Sequence, residues 1–393
     1  MPSTRGSRRG PGRFAAAALT AAAAAVALLA AEGPAYAGPA SGAEVPVIPI
    51  MLSGDWSGSA GFGSGAPGWY VDTSPAGPAV VHLQGAVQQV STTAVPSPDV
   101  IGLLPRAARP DRSVYELVHT FDGTYADIDI DPTGNITLIP PRPPAIQDFS
   151  FVSLEGVSYE QSISAVNVPI PVNTPDWSAS AGYDSVAPSA WADGSGFVHL
   201  QGALTQAQPP NPVDDPLVLA TLPAEFRPEA DASVVAHSFN GTYARLIIDT
   251  SGQIILIGAQ SPAINDDSFV SLEGITFSQD GADAVPVTVN TANFAPAPAG
   301  VFPLSASMDS SGVVHLFGTV RQTDTTGGDV FLVGTVPSGY RPDRYVYGLV
   351  ATFLGTYADA VVTPAGQIYL IYARAPLASN SATVSLDGLS YQP

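Results

Sequence analysis

The sequence contains no cysteine and no lysine, and its 14 basic residues are all arginine. Without cysteine there are no disulfides and no zinc sites built on thiolates, so stability has to come from ordinary core burial. Histidine is scarce as well, at five residues, and with lysine and cysteine missing little general acid–base or nucleophilic machinery remains. The G-x-S-x-G elbow, the phosphate-binding P-loop and the H-E-x-x-H zinc motif are all absent. Charged residues make up only 12% of the chain against 45% hydrophobic, which excludes a disordered chain. Proline and glycine, at 38 each, are too frequent for long helices.

What charge there is has one dominant sign, with a formal net charge of −20. Four of the arginines and only one acid lie before Gly38, so the remainder is more acidic still. An acidic surface repels phosphate backbones and anionic lipid, which makes nucleic acid and membrane surfaces poor partners. The first 37 residues read as a cleavable secretory signal. Arg5, Arg8, Arg9 and Arg13 are followed by a small apolar run from Ala15 to Ala31 and the small-x-small site Ala35-Tyr36-Ala37. Ala-rich sequence of this kind holds a membrane span badly. The expected protein is secreted, without a span after cleavage, by the general or the twin-arginine route.

The rest of the chain is one unit written three times. V-H-L-x-G occurs at Val81–Gly85, Val198–Gly202 and Val314–Gly318. R-P follows at Arg109, Arg227 and Arg341, then G-T-Y-A at Gly123, Gly241 and Gly355. A turn glycine comes next at Gly134, Gly252 and Gly366, and S-L-[ED]-G closes each copy from Ser153, Ser271 and Ser385. The spacing is 114 to 118 residues throughout and the order never changes, which marks tandem domains. The expected division is signal peptide 1–37, loose tail 38–44, and repeats 45–162, 163–280 and 281–393.

Each repeat reads as strands. Ala126–Ile130 alternates apolar and polar, turns at Gly134, and returns as Ile136–Ile139, which predicts a hairpin. In V-H-L-Q-G, Val81 and Leu83 face one way and His82 and Gln84 the other. The proline-containing segments Val45–Ile50, Val166–Thr174 and Ala284–Thr291 read as linkers or edge strands. The fold expected is all-β: three tandem antiparallel β-sandwich, jelly-roll-like domains.

The motif series, clearest in Val313–Val320, Thr335–Pro342 and Val384–Tyr391, resembles the C-terminal domains of phage tail-fibre and baseplate proteins. That resemblance implies a β-sandwich that associates as a trimer and contacts a host-surface sugar or polymer. With three copies in one chain, it implies an intramolecular pseudo-trimer, in which Tyr125, Tyr243 and Tyr357 would encircle a common axis.

Several columns of residues invite a chemical reading. His82, His199 and His315 occupy one column and would form a three-histidine metal site if they met on an axis; strand-face or inter-copy packing is the simpler reading. His119 and His237 form a second column, with Ala351 in copy three. Glu155, Glu273 and Asp387 offer one acid per copy, which turn chemistry explains without catalysis. Asp127, Asp129 and Asp131 do not repeat and lack calcium-loop spacing, so they read as a solvated strand face. Trp56, Trp69, Tyr70, Trp177 and Trp191 vary between copies and stand as candidates for stacking on a sugar ring. No cofactor is implied. The function expected is non-enzymatic recognition of a surface carbohydrate or polymer, with a structural envelope or matrix component second and a polysaccharide-active enzyme third.

Overall fold

The computed structural model describes residues 46–393 except 60, 73–76, 91–98, 122–123, 141–149, 174–175, 180–181, 208–216, 240, 258–267, 282, 325–329 and 372–382. The chain divides into two units between Ala37 and Gly38, and every described residue belongs to the second. The expected signal peptide and tail lie outside the described residues. Among the described residues, no helix is long and apolar enough to cross a membrane.

Each copy consists of a four-stranded and a seven- or eight-stranded antiparallel sheet. In copy one the small sheet runs Ile48–Pro49, Gly68–Asp72, Val80–Gln84, Ser158–Glu160. The large sheet runs Met51–Leu52, Asp99–Leu103, Asn135–Ile139, Thr124–Ile130, Val114–Thr120, Val152–Ser153, Ala86–Gln89, Trp56–Gly58. Copies two and three repeat this order, except that in copy two the strand corresponding to Met51–Leu52 shrinks to the single bridge Val172–Ala220. The predicted hairpin is present, with Ile136 paired to Ile130 and Gly134 at the turn with φ of 91°. The proline-containing segments are edge strands: one stretch of chain pairs first with the small sheet through Ile48 and then with the large sheet through Met51.

The repeated motifs meet in space, which explains why they recur together. Gly85 stands where the chain leaves the small sheet for the large one, with φ of 79°. A Cβ there would come within 2.2 Å of the Ala66 carbonyl oxygen, so only glycine fits. Its N–H donates to the Glu155 carboxylate at 2.8 Å, joining V-H-L-x-G to S-L-E-G. Gly202 with Glu273, at 2.9 Å, and Gly318 with Asp387, at 3.0 Å, repeat the contact. The arginine of R-P turns back on its own chain: Arg109 Nε donates to the Leu104 carbonyl at 3.0 Å, and Arg227 and Arg341 do the same.

Every copy has its own apolar core. A fourth cluster is shared: Ala86 and Phe151 of copy one are buried with Tyr347 and Val361 of copy three, beside Phe62 and Phe121. The copies are therefore sealed in part against one another. The strands Val114–Thr120, Ala232–Ser238 and Val346–Thr352 pack pairwise around a local threefold axis. At one end of them the rings of Tyr125, Tyr243 and Tyr357 meet edge to face, with centroids 5.1, 5.3 and 4.8 Å apart. Burial lifts the Tyr243 phenol to about 12, and Tyr125 rises as well, first through burial and then through the neighbouring Asp127.

Candidate functional site: the axis and the three seams

A loop of each copy reaches across to the next. In copy one the Phe62 carbonyl accepts the Tyr347 hydroxyl at 2.8 Å, and the Gly63 carbonyl accepts the Tyr345 N–H at 3.1 Å. In copy two the Tyr183 carbonyl accepts the Tyr115 hydroxyl at 3.0 Å, and the Asp184 carbonyl accepts the Ser113 N–H at 3.0 Å. Copy three keeps only the backbone part, Asp231 N–H to the Gly300 carbonyl at 2.9 Å. The clamps are cyclic, and the third is the slightest.

The same inequality runs through the charged groups. Between copies one and two, fully buried Arg112 forks onto Glu273 with both contacts at 2.8 Å and donates to Gln201 at 3.0 Å. Between copies three and one, Arg344 forks onto Glu155 at 2.8 and 3.1 Å and donates to Gln84 at 3.1 Å. Burial alone would weaken each guanidinium's hold on its proton; the adjoining glutamate outweighs it and moves both upward. Higher up the axis, His237 lies 3.1 Å from Asp127 and His119 lies 3.2 Å from Asp359. Asp127 is completely buried, and that burial raises its carboxyl. The expectation of a solvated strand face for Asp127 is thus corrected, because the face that turns away from the sandwich core is covered by the next copy.

Between copies two and three the chemistry changes. Ala230 stands where the arginine would be, and Asp387 accepts instead from Ser233 N–H at 2.8 Å and Gly318 N–H at 3.0 Å. Phe317 replaces the glutamine and packs with Phe197 and Phe302 at ring distances of 6.1 and 5.8 Å. An apolar cluster has taken the place of a buried ion-pair network, an exchange that is often neutral in energy. Ala351 takes the histidine's place, and Arg245 takes that of the aspartate.

On the axis, below the tyrosines, lies a cavity of about 80 Å3 bordered by Glu116, Glu155, Glu273 and Asp387. Ligand pockets run to roughly 300–1,000 Å3, so this one suits ordered water rather than a sugar. Glu155 and Glu273 are taken up by their arginines, while among the described residues Glu116 receives only the Ser158 N–H, at 3.2 and 3.4 Å. Burial, and then the like charge of Glu273, push the Glu116 carboxyl well above the usual range. A carboxyl whose folded pKa is raised adds stability at low pH and loses it as pH climbs from its unfolded value through its folded one. Glu116→Gln is expected to stabilise the protein at pH 7 to 8 by about 1 kcal/mol and to flatten the fall in stability toward alkaline pH. Chemical denaturation of the two proteins across pH 4 to 8 measures both.

The five aromatic ligand candidates are not on the surface. Trp56, Trp69, Tyr70 and Trp191 are each 4% exposed and Trp177 is 0% exposed, so all five are packing residues and that expectation is corrected. Trp56 also donates its indole N–H to Asp99 at 2.7 Å. Among the described residues, Tyr183 is the one aromatic among the large apolar side chains that stay exposed. The variation that suggested grafted binding is variation in filling. Phe294 of copy three, 1% exposed, occupies the same strand position as Trp56 and Trp177.

The histidine column also serves packing. His82 stacks on Tyr70 with centroids 4.9 Å apart, and burial depresses it to about 3. His199 stacks on Trp191 at 4.0 Å and meets Thr276 at 3.0 Å. His315 contacts Asp309 at 3.0 Å and packs against Phe197 of copy two at 4.2 Å. Among the described residues no group of three histidine or carboxylate side chains comes together to hold a metal. What sequence reasoning missed is the set of residues on the seams. The signal was available in paired exchanges: where histidine becomes Ala351, aspartate becomes Arg245.

Compared with protein-family models, curated proteins and solved structures, the chain matches none.

Proposed function

We propose that the chain is an exported, non-catalytic recognition head, in which three fused β domains present one rigid end to a surface carbohydrate or polymer. The observation that carries this reading is the common orientation of the copies around the tyrosine triad. In copy one, Thr120, Thr124, Ile139, Val152 and Gln89 all lie at the same end of the large sheet, beside Tyr125. The other two copies turn the equivalent strand ends toward the same axis. A repeating polymer would be met at three linked points, which raises avidity without strong single contacts. The resemblance to phage tail-fibre domains supports the same reading.

Two observations favour a non-catalytic role. Glu155 and Glu273 are each tied to an arginine, and the axial cavity is small. Contact with the polymer would be mainly polar, because the aromatic candidates are buried. The second reading, a structural component of the envelope or matrix, is favoured by exposed apolar residues that are mostly aliphatic, such as Met51 and Val90. A glycan and cell-wall polymer array probed with the mature chain separates the two. Saturable binding to one polymer class supports recognition; retention by none of them favours the structural role.

A further inference from the structure

Among the described residues, each arginine or histidine in these seam columns has a carboxylate within contact, except one. Arg112 has Glu273, Arg344 has Glu155, His237 has Asp127 and His119 has Asp359. Arg245 lacks such a contact. Its Nε donates to the Ser233 hydroxyl at 2.6 Å, and its two terminal amino groups donate to nothing among the described residues. A guanidinium has five N–H donors in a planar fork matched to a carboxylate, so four are left over. Burial makes the group easier to deprotonate than an ordinary arginine, to about 10, and Asp387 opposes this only from beyond contact distance.

Arg245 lies on the outward face of its sheet, with half-buried Ile247 and Ile257 alongside. At the seam between copies three and one, the counterparts of these isoleucines, Val361 and Ile371, lie under Phe62, Phe121 and Phe151 of the adjoining copy. Between copies two and three, the positions of Phe62 and Phe151 carry exposed Ala299 and half-buried Thr383, while half-buried Phe353 keeps the position of Phe121. With two of the three aromatics replaced by small side chains, the isoleucines and the guanidinium stay half-buried rather than closed off.

We propose that this seam is a binding site for a carboxylate-bearing ligand of the acidic-sugar class, with Arg245 forking onto the carboxylate and Ile247 and Ile257 under the ring's C–H face. The ligand supplies the carboxylate that every other seam provides from within the chain. A singly charged, planar group suits the site better than a dianion, because the surrounding protein is strongly acidic. The inference rests on the recognition reading and gives it a chemical class.

The test uses the mature full chain with 15N-labelled arginine, titrated with glucuronate, with glucose and with inorganic phosphate at matched ionic strength. The Arg245 Nε–H resonance is expected to shift saturably with glucuronate, with at least tenfold weaker response to glucose and phosphate. Arg245→Lys keeps the charge without the fork and is expected to weaken the response at least fivefold; Arg245→Gln abolishes it. Both variants are checked by thermal melting, and Arg245→Lys stands in if Arg245→Gln does not fold. An unmoved resonance, an equal response to phosphate, or full glucuronate binding in a folded variant overturns the site. A polymer array that stays positive for folded Arg245→Gln would reject this site and leave the recognition reading standing. A uronate shift with an array negative for every polymer would do the reverse.

Discussion

Replacing Arg112 by alanine is expected to cost about 3–5 kcal/mol of folding stability, because it leaves Glu273 buried and uncompensated between two copies. The molecule itself contains the remedy. At its third seam the same positions carry Ala230, Phe317 and Asp387, with Phe197 and Phe302 filling the space. Transplanting that set as Arg112→Ala, Gln201→Phe and Glu273→Asp is expected to recover at least half of the loss. Equilibrium denaturation of the single and triple variants measures the difference. A triple variant no more stable than Arg112→Ala would show that the two solutions are not interchangeable units.

The second large effect concerns closure. A chain ending at Asp280 keeps the seam between copies one and two but strips copy one of its other neighbour. Phe62 and Phe151 then lose Tyr347, Glu155 loses Arg344, and the tyrosine triad loses a ring. Uncovering an apolar cluster together with an unpaired buried acid favours self-association or unfolding. The expected outcome is a mass above the monomer in light scattering, or a broad, early melt. A monodisperse monomer with a sharp transition at the temperature of the full chain would mean that the seams contribute little.

The fold was largely legible in the sequence, and the reasons are local. The repeat spacing gave the copies, the alternation in Ala126–Ile130 gave a strand, and Gly134 gave its turn. The tyrosine of G-T-Y-A was equally readable, since a residue kept in all three copies beside an apolar strand is either core or shared contact. The seams were not legible. Alternation distinguishes the sandwich interior from its outside, but it cannot show that the outside of Asp127 faces His237. Contacts such as Arg344 with Glu155 join residues 189 apart, a separation no periodicity reports. The tryptophans misled for a related reason. Difference between copies reads as a mark of exposure, whereas Trp177 and Phe294 fill one kind of space with different shapes.

Joining the copies into one chain has a consequence for how the molecule could change. In an assembly of three identical chains, any substitution is made three times at once. An arginine at the place of Arg245 would then put three cations around one axis while removing all three acids that face the histidines. Here it occurs once, and a single partner change at Ala351 accommodates it. Covalent fusion frees each boundary to drift alone, so a strained or under-paired feature can persist in one sector while the other two hold the whole together.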